Sequence, residues 1–67
     1  MSEYKAIKRE IIIRLMSEQE QLRIEFLNDA EFRLKRKDIA GHNKSMAQAK
    51  AHDDIYSLLK KELEEGI

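Results

Sequence analysis

Tyr4, Ile7, Ile11, Leu15, Leu22 and Phe26 recur three, four or seven residues apart along the first half of the chain. That repeat lays side chains along one stripe of an α-helix. Ser17 with Glu20 and Asn28 with Glu31 have the spacing of capping boxes, but the stripe runs through both and neither Gly nor Pro follows them. The pattern predicts one long helix near residues 3–39, with any kink at Asn28. Ser2 followed by Glu3 supplies a cap and an acid for its first turn. A second stripe, Ala51, Ile55, Leu58, Leu59 and Leu63, predicts another helix near residues 45–65. Ala47, Ala49 and Ala51 would let a neighbouring helix approach it closely.

Between the stripes lies LKRKDIAGHNKS, residues 34–45. Lys35, Arg36 and Lys37 suit the end of a helix, where cations complement the dipole, and Gly41 suits the left-handed residue that closes it. Ser45 with Gln48 has the spacing of a new capping box. The expected connection is therefore a short loop around Gly41. The fold class is all-α, a two-helix antiparallel hairpin forming a single domain over residues 1–67.

A turn centred at residues 42–43 makes facing residue numbers sum to about 85, setting Ile55 near Ala30, Leu59 near Phe26 and Leu63 near Leu22. It leaves some 17 residues of the first helix uncovered, an overhang of about 26 Å. Ile7, Ile11, Ile12, Ile13, Leu15 and Met16 all lie on it, and each is worth roughly 1.5 to 3 kcal/mol if fully buried. The expected oligomer or partner interface is thus Tyr4, Ile7, Ile11, Ile12, Leu15, Met16, Leu22 and Phe26. Ile13 and Ile24, eleven residues apart and nearly aligned off that stripe, are a possible second partner face. Phe32 also stands off the stripe.

Composition sharpens the need for a partner. At 67 residues the chain is shorter than the roughly 70 to 80 at which one core comfortably stabilises itself. It has no Cys for disulfides and two His, too few for a structural zinc site. Assembly into a homo-oligomeric helical bundle, a homodimer with four helices in cross-section, is the expected remedy. The start of the chain is charged on both signs, and the apolar run IIIRLM is interrupted by Arg14. That pattern suits neither a signal peptide nor a membrane span, so a soluble, cytoplasmic protein without membrane contact is expected.

Net charge is zero, but the charges alternate in blocks. Residues 1–16 have four basic against two acidic, 17–31 one against five, 32–50 six against one, and 51–67 two against five. Glu62, Glu64 and Glu65 close the second helix where acids oppose its dipole, and Lys5, Lys8 and Arg9 are expected to meet them across a homodimer.

Little in the sequence suggests catalysis. Arg33, Lys35, Arg36, Lys37, Lys44 and Lys50 could form a phosphate-binding patch for nucleic acid, but one nearby aromatic, Phe32, and flanking acidic blocks weaken that reading. GHNKS lacks the glycines and Lys-Ser/Thr pair of a P-loop. His52, Asp53 and Asp54 are consecutive, so a helix sends them in different directions, and His52 fits the hairpin seam one turn before Tyr56. No catalytic residue, cofactor or metal is expected. The reading is a small non-catalytic adaptor, regulator or inhibitor that acts as a homo-oligomer and binds or blocks another macromolecule. The alternative is a nucleic-acid-binding accessory protein using the Arg33–Lys50 patch.

Overall fold

A computed structural model describes residues 2–66, the side chain of Ser2 excepted, so the expected Ser2 cap lies outside the described residues. Two helices, α1 (Ser2–Lys35) and α2 (Ile39–Glu65), pack against each other as a hairpin. The helix α1 passes through Ser17 and Asn28 without a break.

The connection differs from the expected one. Helix α1 ends four residues before residue 39, and α2 begins at Ile39 rather than near Ser45. The chain reverses at Lys37, whose φ of 62° lies in the left-handed region. Around it the Lys37 N–H donates to the Leu34 carbonyl and the Asp38 N–H to the Arg33 carbonyl, both at 2.9 Å. This pair of bonds is the Schellman closure of a helix, here with Lys where Gly is usual. Asp38 also caps α2, its carboxylate accepting the Gly41 N–H at 3.0 Å. One residue thus ends one helix and starts the next.

Gly41 therefore sits in the first turn of α2 without positive φ. Its lack of a side chain matters for space: a Cβ there would run into the Asp38 carboxylate and come within 2.7 Å of the Arg33 guanidinium. Ser45 is likewise no cap. It is buried in the seam between the helices.

Moving the turn moves the register. Gln19 meets His52 and Asp29 meets Ser45, so facing numbers sum to 71 and 74 rather than 85. Lys8 reaches Glu62 at 2.9 Å, so α2 covers α1 almost to its start and the expected long overhang does not exist. Those two charge blocks meet within one chain. The seam on α2 is His42, Ser45, Ala49, His52, Tyr56, Leu59 and Leu63, and on α1 Ile12, Met16, Gln19, Arg23, Phe26 and Ala30, all buried or half-buried. Both sets alternate by three and four, the spacing of a coiled-coil seam.

That seam is short of bulk. Among the described residues only Ile12, Ala30, Ala49 and Ser45 are buried, and no large side chain is fully enclosed. The result is a rod of 54 × 15 × 10 Å with a radius of gyration of 15.5 Å, against about 11 Å for a globule of this length.

The turn geometry predicts opposite responses at two neighbouring sites. Lys37→Gly should raise unfolding stability by up to about 1 kcal/mol, because glycine enters the left-handed region without the side-chain clash. Gly41→Ala should cost about 1 to 2 kcal/mol by displacing the Asp38 cap. Urea unfolding followed by circular dichroism measures both; a stabilising Gly41→Ala would contradict the placement of that cap.

Candidate interaction surface

A polar clamp holds the turn. The Ser45 hydroxyl donates to the Asp29 carboxylate at 2.5 Å, and the same carboxylate receives the Arg33 Nε–H at 2.8 Å. Arg33 turns its Nη1 to Asp38 at 3.0 Å. Beside them, His42 Nδ1 lies 2.8 Å from the Ala30 carbonyl, which can only accept, so Nδ1 carries the proton. The Asp29 carboxyl is held below the usual carboxylate range, chiefly by the Ser45 hydroxyl and then by Arg33. Asp38 is held below it by the Gly41 N–H and then by Arg33.

This clamp decides the fate of the basic patch. Arg33 is engaged by two carboxylates, Lys35 lies 3.4 Å from Glu31, and Lys50 lies 3.5 Å from Asp54. Arg36 lies over the Phe32 ring at 4.4 Å. Lys37 and Lys44 are exposed near the turn. Half of the six cations thus already have acidic partners, and the start of α2, where a phosphate would otherwise bind, carries the Asp38 carboxylate.

His52 occupies the seam. Its Nδ1 is 2.6 Å from Gln19 Oε1, and its ring stacks on Phe26 at 5.5 Å and 9°. Asp53 and Asp54 turn away to Arg23 at 4.0 Å and Lys50 at 3.5 Å. Among the described residues no three His, Asp or Glu side chains converge as a metal cage requires. A depression of about 220 Å³ is lined by Arg23, Leu27, Met46, Ala49, Lys50 and Asp53. A second, of about 480 Å³, lies on α1 alone beside Ser17, Glu18, Gln21, Leu22 and Glu25. Neither is enclosed by both helices in the way that buries most of a small ligand.

The apolar residues outside the seam form the prominent surface. One flank of the hairpin, the side on which Lys8 bridges to Glu62, carries Tyr4, Ile7, Ile11 and Leu15 from α1 and Ile55 and Leu58 from α2. Their exposures are 70, 52, 51, 39, 41 and 68 %. Of the expected interface residues, Ile12 lies instead in the seam at 6 % exposure, while Met16, Leu22 and Phe26 are half-buried. Ile13 and Ile24 are exposed on the other flank. Ile55 and Leu58 were expected to pack against α1 of the same chain; the earlier turn rotates them out of the seam and into the apolar flank.

No helix among the described residues is long and apolar enough to cross a membrane. Comparison with protein families, with curated proteins and with solved structures finds no match for this chain. The reading of function therefore rests on this surface.

The clamp makes stability depend on pH in a definite direction. Carboxyls whose folded pKa lies below the unfolded value add stability above the ordinary carboxylate pKa, and that stability is lost as pH falls through the folded value. The thermal midpoint should therefore hold steady down to about pH 5 and fall below about pH 4. Asp29→Asn with Asp38→Asn should flatten that acid limb in a melting series; an undiminished fall would place the acid sensitivity elsewhere.

Proposed function

We propose that this chain is a small non-catalytic protein-interaction module, an adaptor, regulator or inhibitor that works as a homo-oligomer and binds or blocks another macromolecule. The observation that carries the reading is the exposed apolar flank of Tyr4, Ile7, Ile11, Leu15, Ile55 and Leu58. At their observed exposures, covering these six side chains is worth on the order of 5 to 10 kcal/mol before the cost of association. Total accessible surface supports the same conclusion. The chain exposes 5309 Å², whereas a compact monomer of 7.9 kDa exposes about 4400 Å². The excess of about 900 Å² matches the roughly 800 Å² that each partner removes from water in a standard interface.

In this reading the self-associating face is the apolar flank, and Ile13 and Ile24 on the opposite side are left for a second protein. The second reading, a nucleic-acid accessory protein, rests on Arg36, Lys37 and Lys44 around the turn. Replacing Lys35, Arg36 and Lys37 by Gln separates the two. Under that reading duplex or single-strand binding weakens and its salt dependence flattens by about one phosphate per cation removed; under the preferred one, self-association is unchanged.

Sedimentation tests the preferred reading directly. The unaltered protein should sediment as a dimer or larger assembly at micromolar concentration, and Ile11→Asp with Leu58→Asp should sediment as single chains. Both positions are exposed in the hairpin, so the loss reports the lost intermolecular cover. A helical monomer for the unaltered protein would overturn the proposal.

A further inference from the structure

Resting on that self-association, we infer that the occupant of the apolar flank is a second copy of this chain laid parallel to the first, with both turns at one end and α1 of each copy on α2 of the other. Two-fold symmetry allows a face like this to meet itself in two ways. With the axis along the rod, each level of the hairpin meets the same level of its partner. With the axis across the rod, α1 meets α1 running in the opposite direction.

The flank is divided along its length. Its open half carries Tyr4, Ile7, Ile11, Leu15, Ile55 and Leu58. Its turn half carries Glu18, Glu25 and Asp29 on α1 against Ala51, Gln48 and Lys44 on α2. The parallel arrangement puts like halves together. From the register within one hairpin, Leu15 meets the partner's Leu58, Leu22 the partner's Ala51, Glu25 the partner's Gln48, and Asp29 the partner's Lys44. Glu25 and Asp29 of α1 then lie on the partner's Gln48 and Lys44, while Glu18, at the boundary of the two halves, falls beside the partner's Ile55. Ile11 falls opposite the partner's Glu62, whose carboxylate is already held by Lys8.

The crossed arrangement fails on one of two counts. At full overlap it sets Ile11 against the partner's Glu25, removing water from a carboxylate without supplying a cation, and brings Glu18 of the two copies face to face across the axis. Sliding the copies until the apolar halves meet leaves about half of each face uncovered. The full flank of the rod, 54 by 15 Å, is roughly the 800 Å² per partner of a standard interface, and half of it falls well short.

A single spin label at the turn distinguishes these outcomes. The chain has no native cysteine, and the Arg36 side chain lies on the exposed Phe32 ring outside the seam. Arg36→Cys, labelled and measured by double electron–electron resonance on the assembled protein, should show a label separation within about 30 Å, two to three helix diameters. A dimer whose labels stand at or beyond the 54 Å rod length would overturn the parallel arrangement while leaving self-association standing. A sample that sediments as single chains would overturn both.

Discussion

The left-handed turn at Lys37, locked by Asp38 and by the Arg33–Asp29–Ser45 clamp, sets the register on which the rest of the molecule depends. A hairpin has one free parameter, the residue at which it reverses, and every facing pair follows from it. Reversal at Lys37 makes α2 27 residues long, so it covers most of α1. It also decides which stripe of each helix turns inward. Asp29 can hold Ser45 only in this register, and Asp38 can hold Gly41 only if α2 starts where it does.

The consequence is a division of residues unusual for a stable monomer. The seam takes small and polar groups, Ala30, Ser45, Ala49, Gln19 and His52, with Phe26 stacked on His52 and with Ile12, Met16, Tyr56, Leu59 and Leu63 half-buried or buried toward the open end. Small groups allow close approach and the polar ones find partners, with no buried side-chain nitrogen or oxygen unsatisfied among the described residues. Apolar bulk is left on the flank. Two helices alone have too little thickness to enclose both a seam and a flank, and covering the flank as well would take a further layer such as the proposed second copy. The length of the chain and the composition of the seam thus both favour the proposed self-association.

Much of this was legible in the residues, and the errors have a common source. Absence of Pro, the helix-forming composition and the three-and-four spacing are local, and they identify two helices. The stripe of Tyr4, Ile7, Ile11 and Leu15 was also visible, and these residues are exposed. The turn was misplaced because Gly41 attracts the left-handed assignment, while the residue that adopts it is Lys37, to which nothing in local preference points. Asp38 three residues before Gly41 was the available signal, an Asx cap with its acceptor at the right distance. The sequence Arg33, Lys35, Arg36, Lys37 also suggested a basic patch, whereas Arg33 belongs to the clamp because Asp29 lies one turn before it. From that single displacement the register, the supposed overhang and the inward assignment of Ile55 and Leu58 all changed.

Whether the hairpin acquires its stability from cover over the apolar flank, as proposed, is tested most directly by the concentration dependence of thermal unfolding. If folding and association are coupled, the midpoint measured by circular dichroism rises steadily as protein concentration is raised from sub-micromolar to hundreds of micromolar, and helicity falls on dilution. A fully helical protein whose midpoint is the same across that range would contradict the account.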